Sequence, residues 1–415
     1  MAAQAMANDY MVELVDKSLN ELTESGCVTV HPNGDVDPTP LGKIMSYYYL
    51  SHKTIRHLIK HAKPNATFAD VLSWMCCATE YDELPVRHNE DLINAELSHN
   101  LPLKADSFGL PMWDPHVKAF LLLQAHFSRI TLPISDYVGD LNSVLDQSIR
   151  IIQASIDVLT ELGFDSSCNM MITLMQCIKS ARWPDDGPLS ILPGVDVDLE
   201  KKRISDSKTE PKSLVDAATT PRKVLEKAAS LLGVPQARLP LFFETINAIP
   251  NLVVSVSEIS ALGLTVNISR KNMPLERDFR RYPPRVSGPQ TKHDDRKHAQ
   301  HFPRLQKERE YRMYAPYFPK PQTEGFFVIM SCPMKDEIIA LKRVGWQVPR
   351  HEKGAASSRL SARAVVKLPE SDEDRVLDVA VVSDGYIGMV WRVRGVEVPK
   401  PPLVVDDGGK GPLAE

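Results

Sequence analysis

The sequence predicts a multidomain α+β chain in which an all-α helical bundle is followed by a β-sandwich. Two changes of pattern carry that prediction. Between residues 67 and 182 apolar residues recur at helical spacing, in segments of helical length. From Asn251 the chain turns to short β-branched runs separated by turn residues. These runs, "LVVSVSEI", "LTVNISR", "EGFFVIMSC", "DEIIALKRVG", "ARAVVKL", "VLDVAVVSD" and "MVWRVRG", suit a sandwich of about seven strands. At 415 residues the chain is also too long for one core and suits two to four domains.

Taken in order, residues 8–24 place Met11, Leu14, Val15, Leu19 and Leu22 on one helical face, with Asn8 or Asp9 to cap it and Gly26 to end it. "CVTVHPNGDVDPTPLG" then reads as two short strands around Pro-Asn-Gly. A helix followed by a small wing is the second half of a winged helix, so residues 1–50 are read as the C-terminal part of one; its first half has no counterpart here. Residues 51–183 form the bundle. In it, 67–83 is a helix with Thr67 as cap and Asp70 three residues on. Residues 114–129 begin with Asp114 and Pro115 and are apolar nearly all round, the mark of a buried helix. Segments 140–162 and 168–182 continue the pattern. "RWPDDGPLSILPG" ends the bundle, and a small helical pair occupies 184–250, with Thr220 expected as the cap of the first helix. The sandwich takes 251–398, interrupted by a basic insertion at about 271–311. The Pro/Gly-rich tail 399–415 is expected to be disordered.

Composition narrows the function classes. Hydrophobic content of 43% and charged content of 25% are those of a globular protein. The formal net charge is −4, yet residues 270–312 hold 13 Lys and Arg against 6 Asp and Glu, leaving −11 on the rest. A basic island on an acidic body is a local signal for a polyanionic partner. Six cysteines lack zinc or redox spacing and read as reduced thiols of a cytoplasmic, or also nuclear, protein. No apolar stretch is long enough to span a membrane, and the N-terminus lacks the pattern of a secretory signal.

"TPLGKIMSYYYLSH" (39–52) poses the question of a phosphate loop. Such a loop needs flanking glycines and a Ser or Thr after its lysine. Only Gly42 precedes Lys43, and Ile44 follows, so the stretch reads as a joint. Gly42 is expected to permit the turn out of the wing, and Tyr47 and Tyr48 to anchor the next helix in the core. His116 and His126 lie ten residues apart on one helix, about 15 Å along its axis, and cannot chelate a metal together. No nucleophile elbow accompanies any Ser/His/Asp set.

In this order, "LGKIMSYYYLSHKTI", "ATEYDELPVRHNEDLI", "DPHVKAFLLLQAHFSRI", "APYFPKPQTEGFFVIM", "ALKRVG" and "SDGYIG" resemble the Sec-sixty-three-type module of Ski-two-like RNA helicases, over about residues 10–395. "VTVHPNGDVDPTPLGKIMSYYYLSHKTIRHL" and "GVEVPKPPLVVDD" are most similar to the activating signal cointegrator and ribosome-quality-control branch of that family. The resemblance implies a helix-hairpin-helix unit within 184–250 and an immunoglobulin-like sandwich. It also implies a ratchet helix lining an RNA channel, to which 67–83 is similar. The motor domains, with their Walker and DExH motifs, have no match in this sequence, so no catalytic residue carries over and no ATP hydrolysis is expected from this chain. ATP and Mg belong to the intact helicases.

The residues expected to touch single-stranded RNA are Thr79, Asp82, Arg87 and His88, with Arg280, Arg281 and Arg285 of the basic insertion. Arginine can pair with phosphate bidentately or stack on a base, and aromatics interleaved with basic residues suit single strands. The bland alternatives are an Arg87 pairing with Glu83 or Glu90 and a solvated basic loop. The expected function is a non-catalytic accessory module that guides RNA and docks ribosome or helicase-complex subunits. Two competitors are a pure protein-interaction scaffold and a translocation component of the endoplasmic reticulum, which would need a J-domain and membrane spans.

Overall fold

The computed structural model describes residues 2–206, 211–272, 312–346, 360–371 and 373–401. Arg280, Arg281 and Arg285, most of the basic insertion and nearly all of the tail 399–415 lie outside the described residues.

Helix α1 (Ala2–Glu24) leads into an antiparallel hairpin of β1 (Val28–Val30) and β2 (Val36–Pro38), with Pro-Asn-Gly at its turn. α2 (Pro40–Tyr48) starts at Thr39, whose hydroxyl accepts from the Gly42 amide and donates to the Gly26 carbonyl. Gly42 therefore lies inside α2, in a role different from the expected turn. A Cβ there would fall 2.0 Å from the Cys27 carbonyl oxygen, so only glycine lets the helix approach the hairpin this closely.

The bundle consists of α3 (His52–His61), α4 (Phe68–Cys76), α5 (Glu90–His99), α6 (Pro115–Phe127), α7 (Ser135–Glu161) and α8 (Asp165–Ser180). α6 starts on its Asp114 cap with Pro115 at the first turn, and every residue from Val117 to Phe127 is buried. α7 is the axis, packed by α2, α3, α4, α6 and α8. The expected helix over 67–83 is shorter in the structure. It opens with the Thr67/Asp70 capping box but stops at Cys76, and Thr79–Tyr81 form a single 3-10 turn. The break lets the Tyr81 ring enter the core, where its hydroxyl donates to the Val144 carbonyl at 3.2 Å.

Beyond the bundle come α9 (Val197–Asp206), α10 (Leu214–Thr219), α11 (Arg222–Leu231) and α12 (Leu239–Ala248). Thr220 closes α10, where the sequence suggested a cap for α11. Among the described residues seven strands follow: β3 (Leu252–Ser260), β4 (Gly263–Arg270), β5 (Gly325–Cys332), β6 (Glu337–Gly345), β7 (Ser361–Lys367), β8 (Arg375–Ser383) and β9 (Val390–Val398). They form two antiparallel sheets, ordered β3-β4-β7 and β6-β5-β8-β9.

Strand β5 shows why the sandwich does not stand apart from the bundle. Its residues alternate between faces. Phe326, Val328 and Met330 enter the core between the two sheets, while Phe327 and Ile329 join the core of the helical bundle. On β8, paired with β5, Ala380 and Val382 do the same. A strand buried on both faces reads as a continuous apolar run, as "GFFVIM" does. Each large apolar side chain buried there contributes roughly 1.5–3 kcal/mol, so the four-stranded sheet and the bundle are held together by several kcal/mol.

Candidate nucleic-acid interface

Of the sequence-predicted contacts, Thr79, Asp82, Arg87 and His88 lie on the chain between α4 and α5, and three helices hold the first three. Thr79 faces α3: its hydroxyl and that of Thr54 are 2.9 Å apart, and its amide donates to the Thr54 hydroxyl at 3.0 Å. The next residue, Glu80, accepts from the Ser51 amide at 2.8 Å and from the Thr54 hydroxyl at 2.7 Å. Asp82 faces α6, 3.0 Å from Nε2 of His116, whose Nδ1 lies 2.8 Å from the Cys76 carbonyl. His88 is exposed.

Arg87 faces α7, where a buried ionic cluster takes it up. Its guanidinium donates to Glu90 at 2.9 Å and to Asp140 at 2.7 and 3.2 Å, and lies 3.4 Å from Asp136. Beneath it Lys118 of α6, with no exposed side-chain surface, reaches Glu90 at 2.5 Å, Asp140 at 2.7 Å and the Pro85 carbonyl at 2.7 Å. The ammonium also sits 4.5 Å over the Tyr137 ring. Burial alone would raise both carboxyls. Lys118 and Arg87 together hold Glu90 and Asp140 below the usual carboxylate range. Two cations against two buried carboxylates close the charge balance, and the cluster fastens the 85–90 segment to α6 and α7. The Arg87 side chain keeps 41% of its surface exposed, so an approaching phosphate would share it with Asp140 and Asp136.

Thr79, Asp82 and Arg87 thus belong to three separate networks. Sequence reasoning anticipated the Arg87–Glu90 pair as the bland alternative but missed Lys118 and Asp140. The signal was present, because a single lysine in the otherwise apolar "VKAFLLL" must find a carboxylate once the helix is buried all round.

A second buried cluster joins bundle to sandwich at "SDGYIG". Asp384 lies 2.9 Å from Lys179 of α8 and 2.9 Å from Arg343 of β6, and accepts from the Gly325 amide at 3.1 Å. Burial works against its charge, but Lys179 and Arg343 keep its carboxyl below the usual range. Gln176 of α8 donates to the Ser383 carbonyl at 2.6 Å across the same junction.

A family model of the Sec63 Brl domain matches residues 38–394, from the end of β2 through the helices and both larger sheets. The chain belongs to the Sec63 Brl domain family. Activating signal cointegrator 1 complex subunit 3 of Gallus gallus is 30% identical over 417 residues, covering 92% of this chain and 18% of that protein. The RQC trigger complex helicase SLH1 of Saccharomyces cerevisiae is 50% identical over 207 residues, covering 49% of this chain and 10% of that helicase. The DExH-box ATP-dependent RNA helicase DExH14 of Arabidopsis thaliana is 44% identical over 185 residues, covering 44% of this chain and 8% of that helicase. The chain therefore spans less than a fifth of the length of these curated relatives. Its match is to the Sec63 Brl module of RNA helicases of this type. Among the described residues, no helix is long and apolar enough to cross a membrane.

Proposed function

We propose that this chain works as a non-catalytic accessory module of an ATP-dependent RNA helicase, guiding single-stranded RNA and presenting its sandwich to protein partners. The observation that carries the reading is the Sec63 Brl match over residues 38–394, together with relatives named as helicases in yeast and, as an ATP-dependent RNA helicase, in Arabidopsis. ATP and Mg would be used by the motor of such a helicase and not by this chain. The partners would be other subunits of a helicase complex or the ribosome, in ribosome-associated quality control, with which the RQC in the yeast relative's name agrees, and the site of action the cytoplasm or also the nucleus.

The finer architecture fits this role. Strand order β3-β4-β7 against β6-β5-β8-β9 supports an immunoglobulin-like sandwich. α1 with its hairpin supports a partial winged helix, and α11 with α12 a helix-hairpin-helix unit. A guide must hold its surfaces in fixed relation to one another, and the shared core at Phe327 and Ile329 and the Asp384 cluster provide that rigidity.

The contacts proposed from sequence are Thr79, Asp82, Arg87 and His88, with Arg280, Arg281 and Arg285. Anisotropy of a labelled single-stranded oligonucleotide tests them, with Arg87→Ala and with residues 277–311 deleted. Weakened binding that is less sensitive to salt supports the assignment. Unchanged binding after both changes rejects those contacts.

A further inference from the structure

The surface beside the Thr79 turn carries an unusual distribution of charge. Between Asp37 and Asp70 the chain has no acidic residue, yet it holds Lys43, Lys53, Arg56, Lys60 and Lys63. α3 buries Thr54, Ile55 and Leu58, and the opposite side of its wheel is Lys53, Arg56 and Lys60, all exposed. Acidic groups from neighbouring elements offset part of this. Glu24 of α1 pairs with Arg56 at 2.9 Å and Asp70 of α4 with Lys63 at 2.9 Å. Lys43, Lys53 and Lys60 have no ion-pair partner among the described residues. Lys53 and Lys60 stand about 10 Å apart along the helix, at 1.5 Å per residue.

Two aromatic rings project from the joint that leads into this helix. Of the three consecutive tyrosines, only Tyr48 is an anchor, its hydroxyl donating to Asp157 of α7 at 2.8 Å. Tyr47 is 75% exposed and Tyr49 84%. Tyr47 stands one helical turn after Lys43 on the exposed side of α2. Tyr49 closes α2 in the left-handed region, at φ 52° and ψ 46°, where glycine or asparagine is the usual choice. Arg150 of α7 fixes the turn by donating to the Tyr49 carbonyl at 2.9 Å and the Tyr48 carbonyl at 3.4 Å. A bulky residue in that conformation with its ring in solvent adds nothing to the core.

We propose that the joint of α2 and α3 is a single-stranded RNA contact. Tyr47 and Tyr49 stack on unpaired bases, and Lys43, Lys53 and Lys60 neutralise the adjoining phosphates. The inference rests on the reading that the chain works on RNA, and deepens it by naming where the strand lies. Stacking platforms flanked by cations are what sequence-tolerant single-strand binding requires. Protein interfaces, by contrast, are depleted in lysine. A duplex offers no free base faces to the rings. Arg150 is a positioning residue that aims Tyr49.

The test uses the whole chain and a 5′-fluorescein 12-nucleotide oligouridine, followed by anisotropy across a salt series, with a 12-base-pair RNA duplex beside it. Tyr47→Ala with Tyr49→Asn keeps the left-handed turn that asparagine tolerates, and Lys53→Gln with Lys60→Gln removes two charges. All four side chains are exposed, and an unchanged thermal midpoint confirms that each variant folds. The tyrosine pair should weaken oligouridine binding about tenfold or more with the salt slope unchanged. The lysine pair should lower the slope of log K against log salt by about 1.4, at 0.7 for each lost contact to a single strand. Variants within twofold of the unaltered chain overturn this contact and leave the RNA reading standing. Equal losses for oligouridine and duplex overturn the stacking. No binding of oligouridine by the unaltered chain at 50 mM salt overturns both the contact and the reading beneath it.

Discussion

Replacing Lys118 with methionine is the sharpest test of how the bundle is held. Methionine fills the stem of the lysine and removes only the ammonium, which here serves Glu90, Asp140 and the Pro85 carbonyl at 2.5–2.7 Å with no exposed surface. The variant leaves two buried carboxylates on the single cation Arg87. Breaking a buried pair by removing one partner costs about 3–5 kcal/mol, because the other charge stays buried. At an unfolding entropy of about 2.1 cal/mol/K per residue, 1 kcal/mol moves the midpoint of a chain this long by roughly 1 °C, so the thermal midpoint should fall by about 3–6 °C. Arg87→Ala should cost less, since Arg87 is 41% exposed and water can replace it. Acid should narrow the gap between Lys118→Met and the unaltered chain. The remaining cation can no longer hold both carboxyls low, so one of them takes up a proton in the folded variant. Differential scanning fluorimetry at pH 7.5 and 5.5 reads both effects. A midpoint within 1 °C of the unaltered chain, or a larger loss for Arg87→Ala, would refute the reasoning.

Other perturbations follow from the same geometry. Gly42→Ala should destabilise by about 1–3 kcal/mol, because its Cβ would lie 2.0 Å from the Cys27 carbonyl and backbone must move; urea titration measures it, and an unchanged midpoint contradicts the close approach. His57 titrates at about 4, lowered by burial and by His61, His116 and Lys60. An unfolded histidine takes its proton near 6.5, so the folded state is fully favoured above that pH and loses about 1–2 kcal/mol as pH falls toward 4, allowing for solvent screening of a half-buried group. His57→Gln should flatten the fall of the melting midpoint over that range, and an identical pH profile would remove His57 as its source. Lys179→Met leaves Asp384 with Arg343 and the Gly325 amide and should lower the melting midpoint, with faster hydrogen exchange at both Ser383 and α8. Exchange that rises on one side only would show that the junction does not couple bundle and sandwich.

Much of this architecture was legible in the sequence because it is periodic. All seven strand segments read from Asn251 onward became β3–β9, and the Asp114 and Thr67 caps stand where residue type and spacing put them. What escaped was non-local. Nothing in "ATEYDE" tells that a helix must break so that Tyr81 can reach Val144 of α7. Gly42 looked like a turn residue because its reason, the Cys27 carbonyl, lies in another element. The three tyrosines are identical in type, and only the docking of α2 on α7 decides that Tyr48 turns inward while Tyr47 and Tyr49 remain in water. Charges in apolar runs were the readable clue left unused. Lys118 and Lys179 both mark buried carboxylates on other elements.

One binding isotherm bears most directly on the role proposed for this module: oligouridine with the whole chain at 50 and 200 mM salt, with and without ATP. Saturable binding is expected, weakening roughly tenfold or more across that range if about three phosphates are neutralised, and indifferent to ATP. Absence of binding at 50 mM salt would contradict an RNA-guiding role and leave the chain a protein-docking scaffold.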